Sequence, residues 1–162
     1  MNADPKFLEY YSSKNTDILQ EYFVPVENLP EFLDGLKKII KNNDINFLSV
    51  TIRYIPKNNE SLLAYSDKED KFGAVLYFNV GLSEKEQEKV SKWTQELIDL
   101  SLKLKGKYYL PYELYASHEQ IREAYSSFDE FCAQKLKYDP TQLFMNQFYA
   151  KYCLGEDDYE GN

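Results

Sequence analysis

Two stretches of the chain, residues 47–55 and 74–80, alternate between apolar and polar side chains with the period of two that marks a β-strand. Because each stretch has one apolar side, we predict that the two strands are antiparallel neighbours with that side buried against helices. The predicted buried side carries Leu48, Val50, Ile52 and Tyr54 from the first strand, and Ala74, Leu76, Phe78 and Val80 from the second. The opposite side carries Thr51, Arg53, Tyr77 and Asn79.

Two further stretches have the 3.6-residue period of an amphipathic helix. One runs over residues 29–42, and the second over residues 83–105, where Ser83 and Glu86 have the spacing of a capping box. Short strands are predicted at residues 18–24 and 107–111. The order is strand, helix, strand, strand, helix, strand, which predicts an α+β, ferredoxin-like fold. In that fold a four-stranded antiparallel sheet carries both helices on one face.

The rest of the chain predicts C-terminal helices. Ser117 and Gln120 form a second capping-box pattern, an apolar helical pattern follows Phe128, and residues 143–152 predict a last helix. We expect a single domain over residues 17–153. Residues 1–16 are then a leader, either disordered or added outside the natural sequence, and residues 154–162 form an acidic tail.

The overall charge restricts the class of partner. The net charge is −8 and the pI is about 4.8, with no basic stripe, which argues against nucleic acid or an anionic membrane surface as a partner. No apolar run is long enough to span a membrane, and no signal peptide is visible. Cys132 and Cys153 lack CxxC spacing, so we expect free thiols and a cytoplasmic protein.

The residues alone assign no catalytic centre. With one histidine and two distant cysteines, we expect no metal site, and no Gly-rich phosphate loop or nucleophile elbow is present. The polar side of the predicted sheet, with Arg53 among small hydroxyl and amide groups, leaves two interpretations open. It is either a solvated surface or a site for an oxygen-rich ligand.

A longer pattern covers about residues 18–152. It includes Tyr108-Tyr109-Leu110-Pro111-Tyr112, then Ala124-Tyr125, Tyr138-Asp139-Pro140, and Phe144-Met145-Asn146-Gln147-Phe148 in that order. This pattern resembles the cap and C-terminal region of FAD-binding oxidoreductases of the vanillyl-alcohol-oxidase superfamily. The resemblance implies that a separate N-terminal domain binds FAD, and that the sheet of this cap covers the flavin ring to form the substrate site.

The resemblance also implies roles for particular residues. Thr51, Arg53, Tyr77 and Asn79 would face the substrate or flavin, and so would Tyr112 and Tyr115. Thr51 stands where related alditol oxidases have a carboxylate. Residues 112–115 stand where sugar-lactone oxidases and alditol oxidases have a His-Trp-x-Lys stretch, so that histidine and that lysine are missing here.

We therefore expect the cap and C-terminal part of an FAD-dependent oxidoreductase that oxidises a small polar substrate, such as an alcohol or a sugar. Its partners would be the FAD-binding domain of the same enzyme and that substrate. Without the FAD-binding domain, the chain is expected neither to hold FAD nor to be active. The alternative is a stand-alone module of ferredoxin-like fold that binds a ligand or a protein through the same sheet face.

Overall fold

The structure is a computed structural model that describes residues 14–155. Most of the predicted leader and acidic tail lies outside the described residues. The strands are β1 (Asn15–Pro25), β2 (Phe47–Ile55), β3 (Lys71–Gly81) and β4 (Lys107–Tyr108). The helices are α1 (Leu29–Asn42), α2 (Glu84–Lys103), α3 (His118–Ala124), α4 (Phe128–Tyr138) and α5 (Gln147–Tyr149), and α5 runs into a π-helical turn at Ala150–Leu154.

The four strands form one antiparallel sheet in the order β2-β3-β1-β4. The central strands β1 and β3 pair over their whole lengths, and the short strand β4 adds only two residues to the far side of β1. The predicted α+β fold with a four-stranded antiparallel sheet is therefore confirmed.

Helices α1 and α2 pack on the same face of the sheet. The ring of Tyr22 in β1 contacts Phe32 of α1, with centroids 5.7 Å apart, and the ring of Phe78 in β3 contacts Trp93 of α2 at 4.9 Å. Ile18 is paired with Phe78 and has the same parity as Tyr22, so Tyr22 and Phe78 project from one face. We call it the helix face, and the opposite face the open face.

The structure corrects the expected burial of β2. Leu48, Val50, Ile52 and Tyr54 are exposed, although their alternation predicted a buried side. The reason is that β2 is an edge strand, while the core that α1 and α2 form lies over the central strands β1 and β3. Apolar alternation identified the strand and its two sides, but it did not show how far the helices extend across the sheet.

A loop at residues 56–70 covers one end of the open face. Tyr65 from this loop stacks on Phe23 of β1, with ring centroids 4.1 Å apart. Lys107 of β4 is tied to the same loop, since its Nζ donates to the Ala64 carbonyl at 2.8 Å and pairs with Asp67 at 2.8 Å. The rest of the open face, toward the start of β1, is not covered by this loop.

The C-terminal segment is less helical than predicted. The capping box of Ser117 and Gln120 is present, but the helix expected at residues 143–152 begins only at Gln147. Asp139 explains the difference, because its carboxylate accepts bonds from the backbone N–H groups of Leu143 and Phe144 and from Lys135. These bonds hold residues 139–144 as a turn instead of a helix.

Cys132 and Cys153 form a disulfide, with Cα atoms 5.6 Å apart, so the prediction of free thiols is wrong. The bond joins α4 to the π-helical turn and closes a loop of 21 residues in sequence. Sequence spacing did not reveal it because folding, not proximity in sequence, brings the two cysteines together. None of the helices between residues 14 and 155 combines the length and apolar character needed to cross a membrane.

Candidate functional site

The register of the sheet places polar side chains from three strands on the open face. Thr51 of β2 is paired with Val75 of β3, which is paired with Glu21 of β1. In a neighbouring row, Arg53 is opposite Gly73. Directly paired residues project from the same side of a sheet. The polar residues on this face include Asp17, Glu21, Ser49, Thr51, Arg53, Tyr77 and Asn79.

Arg53 lies on the open face and is exposed, as the parity of its strand predicted. The alternation also placed Tyr77 and Asn79 on this side, but the residue opposite Arg53 is Gly73, and Tyr77 is opposite Ser49. Four residues therefore separate Arg53 from the level of Tyr77, about 13 Å along the strand. The two side chains share a face without being cross-strand neighbours.

Glu21 is the acidic residue of the open face on which the charge of Arg53 acts. Burial raises the pKa of the Glu21 carboxyl above its usual range, and the positive charge of Arg53 offsets part of that rise. Gly73 lies between the two, and its lack of a side chain makes room for the carboxylate. A methyl group there would lie 3.0 Å from Oε1 of Glu21 and 2.7 Å from Cδ1 of Ile55.

Sequence reasoning missed Glu21. Its strand was predicted as a short apolar run, without assigning its residues to the two sides of the sheet. A usable signal was present, because Gln20 and Glu21 interrupt an otherwise apolar strand between Leu19 and Tyr22. Gln20 faces α2, where its side chain donates to Thr94 at 2.8 Å. Glu21, the next residue, therefore faces the open side.

Tyr77 and Asn79 form a second polar group around Asp17. The Tyr77 hydroxyl donates to the Asp17 carboxylate at 2.8 Å, and the Asn79 amide donates to the same carboxylate at 2.6 Å. The Asn79 carbonyl oxygen accepts a bond from Asn15 at 3.0 Å. These polar atoms already have protein partners, so the group is a rigid polar border to the part of the face around Arg53.

The structure separates the two tyrosines that the resemblance added to the site. Tyr112 lies near Glu21, because the two residues line one small cavity. Burial and the charge of Glu21 raise the pKa of the Tyr112 hydroxyl, and the charge of Arg53 lowers it. Tyr115 lies on the helix side instead. Its hydroxyl donates to Gln87 of α2 at 2.7 Å, and its carbonyl accepts from Gln95.

A large cleft adjoins Tyr112, between the end of the sheet and the C-terminal segment. It encloses about 1310 Å³. Aromatic rings form one wall, with Tyr109 and Tyr112 packed edge to face at a centroid distance of 4.9 Å. The other wall comes from the turn and from α5. The side chains around the cleft include Tyr65, Tyr109, Pro111, Tyr112, Tyr125, Gln142, Leu143, Met145 and Phe148.

The site offers hydrogen-bond donors and acceptors beside a flat aromatic surface. No group of three or more potential metal ligands occurs within residues 14–155. What the arrangement can do is bind oxygen-rich molecules through Arg53 and Glu21 and lay a planar group along the tyrosines.

One comparison with known proteins found a match. A family model described as D-arabinono-1,4-lactone oxidase matches residues 12–152, which is most of the chain and includes every residue of the open face named above. A search of curated proteins found none that matches the chain.

Proposed function

Because the chain belongs to the D-arabinono-1,4-lactone oxidase family, we propose that it is the cap and C-terminal part of an FAD-dependent oxidoreductase that oxidises a small, hydroxyl-rich substrate. The observation that carries this proposal is the position of Arg53. It lies on an uncovered polar sheet face that continues, through Tyr112, into a cleft lined by aromatic rings. The open face would then form one wall of the substrate site.

FAD would be held by a separate domain. The chain has only 6 glycines and no Gly-rich loop to hold a diphosphate, but its exposed guanidinium and tyrosine cleft suit the carbonyl edge and flat rings of a flavin. When bound, the flavin accepts a hydride from the substrate. Arg53 would orient a substrate oxygen, Thr51 and Tyr112 would border the same space, and the Asp17 group with Tyr77 and Asn79 would limit its extent.

The substrate class is proposed from the family and the polarity of the site. The family description names an aldonolactone, so we propose a lactone or polyol of similar size. The histidine and lysine that sugar-lactone oxidases and alditol oxidases carry are missing here, so the contacts to the substrate differ from those in both groups of enzymes. Tyr115, which bonds to α2, is not part of the proposed site.

The test uses the chain joined to its FAD-binding domain. Anaerobic addition of a panel that contains D-arabinono-1,4-lactone, related aldonolactones and sugar alcohols is expected to bleach the flavin absorbance with at least one member. The chain alone should be colourless. Stoichiometric flavin in the isolated chain, or a holoenzyme that no panel member reduces, would contradict the proposal.

The compartment stays a prediction. We predicted the cytoplasm partly from two free thiols, and the Cys132–Cys153 disulfide removes that argument, because such bonds persist mainly in oxidising compartments. Alkylation of these cysteines in unreduced cell extract distinguishes the two cases. Modified thiols would favour the cytoplasm, and protected cysteines would favour an oxidising compartment.

A further inference from the structure

We propose that Glu21 is a specificity-determining residue that accepts a hydrogen bond from a substrate hydroxyl, next to a substrate oxygen held by Arg53. This inference rests on the proposed function and adds to it a residue from β1 and the kind of group it recognises. Related alditol oxidases have a carboxylate on this strand where the present chain has Thr51. Glu21, in the same row of the sheet, would supply a carboxylate from another strand.

Glu21 is a mostly buried residue whose carboxylate receives no hydrogen bond from the described residues, and the charge of Arg53 offsets only part of its desolvation. The residue is 9% exposed. Buried carboxylates are ordinarily hydrogen-bonded or paired, because the loss of hydration is otherwise uncompensated. Asp17, which is exposed on the same face, nevertheless has two donors on its carboxylate.

The residues around Glu21 keep its carboxylate oriented toward Arg53. Gly73 leaves the space that Oε1 occupies, and Tyr109 fixes the backbone by donating its N–H to the Glu21 carbonyl at 2.9 Å. The charge of Arg53 acts on both Glu21 and Tyr112. An acceptor and a donor that lie close together on one face suit a ligand with neighbouring oxygens, one of which bears a proton.

A function in substrate binding would explain why a carboxylate is present at position 21. A carboxylate whose desolvation is only partly offset lowers the stability of the free protein, whereas a glutamine of the same shape has no charge to desolvate. A substrate hydroxyl would satisfy the carboxylate, and a substrate analogue that lacks this hydroxyl would leave it unpaired. Sites of this kind reject deoxy analogues strongly.

The experiment compares Glu21→Gln with wild type in the holoenzyme that contains the FAD-binding domain. The substrates are the best panel member and its monodeoxy analogues. We expect kcat/KM for the parent substrate to fall about tenfold or more in the variant. For one monodeoxy analogue, wild type should lose a similar factor, and the variant should lose clearly less, because the glutamine amide oxygen accepts only a weaker, uncharged bond from the same hydroxyl.

Glu88→Gln, an exposed glutamate of α2 on the helix side, is the matched control and should leave all these ratios unchanged. Equal losses on every deoxy analogue in Glu21→Gln and wild type would overturn the proposal. If Glu21→Gln lost the same factor in kcat/KM on the parent substrate and on every monodeoxy analogue, the proposal would also be overturned, since that pattern indicates only a structural role.

A stability measurement separates this inference from the proposed function. At pH 7 the unfolding midpoint of Glu21→Gln should equal or exceed that of wild type, because burial disfavours the Glu21 charge more than Arg53 favours it. A lower midpoint would mean that the carboxylate has a stabilising role, which contradicts the inference. If no panel member reduces the wild-type flavin, the proposed function fails, and the stability result still decides whether the Glu21 charge is disfavoured in the free protein.

Discussion

The two faces of the sheet differ in the side chains that they carry and in the elements that pack on them. The helix face carries apolar side chains from β1 and β3 that are buried beneath α1 and α2. The open face carries charged and amide groups from the neighbouring positions of those strands. The comparison teaches that the helix face holds the fold together, while the open face includes groups, Glu21 above all, that folding alone does not explain.

The largest expected effect tests whether only one face supports the fold. Leu76, on the helix face, is fully buried, and Leu19, on the open face, is 39% exposed. Leu76→Ala should cost about 4 kcal/mol of unfolding free energy, because it leaves a cavity that cannot be filled. Leu19→Ala should cost about 1 kcal/mol or less. Denaturant titration of the two matched variants checks this, and equal losses would remove the distinction between the faces.

The next effect concerns how the C-terminal segment, which lines the cleft, is held. Reducing the Cys132–Cys153 bond, or replacing both cysteines with serine, should lower the unfolding free energy by about 3 kcal/mol, since a closed loop of 21 residues restricts the unfolded chain. Chemical denaturation with and without a reductant measures it. An unchanged midpoint in the reductant would mean that packing alone holds this segment.

A smaller effect concerns Asp139, at the edge of the cleft. The bonds from Lys135 and from the N–H groups of Phe144 and Leu143 lower the pKa of its carboxyl to about 2. A lowered folded-state pKa stabilises the protein above the ordinary pKa of aspartate, and that stability is lost as the pH falls toward 2. Asp139→Asn should therefore be less stable than wild type at pH 7, and the difference should shrink at acidic pH.

The control for that pH series is Asp34→Asn, since Asp34 makes only an exposed pair with Lys37. Its difference from wild type should be small at every pH. A stability difference for Asp139→Asn that stays constant between pH 7 and pH 3 would show that the turn does not depend on the charge of Asp139.

Local sequence patterns predicted the elements of the sheet and its helices because burial on one side imposes a period. The same alternation correctly predicted the face of the sheet from which Arg53 projects. The position opposite Arg53 did not, since register depends on which residues of β3 meet β2 and on the irregularity between Phe47 and Ser49. The exposure of Val50 and its neighbours depends on the edge position of β2, which is a property of the whole sheet.

The candidate site was predictable only in part for similar reasons. The alternation of apolar and polar residues predicted which polar side chains of β2 and β3 share a face. Glu21 lies in β1, a strand whose two sides the sequence pattern did not separate. Tyr115 follows Tyr112 by three residues, yet its hydroxyl bonds to α2, which depends on how the chain turns after β4. The disulfide likewise arises from tertiary packing between α4 and the last turn.

The central claim is that the open face serves a ligand, and Arg53→Ala in the holoenzyme tests it most directly. Arg53 is exposed and has no hydrogen bond within residues 14–155, and its charge only partly offsets the burial of Glu21, so its removal should lower the unfolding free energy by less than about 1 kcal/mol. The account predicts that kcat/KM for the oxidised panel member falls about 30-fold or more, far more than this small loss of stability explains. Turnover equal to wild type in a correctly folded, flavin-loaded Arg53→Ala enzyme would contradict it.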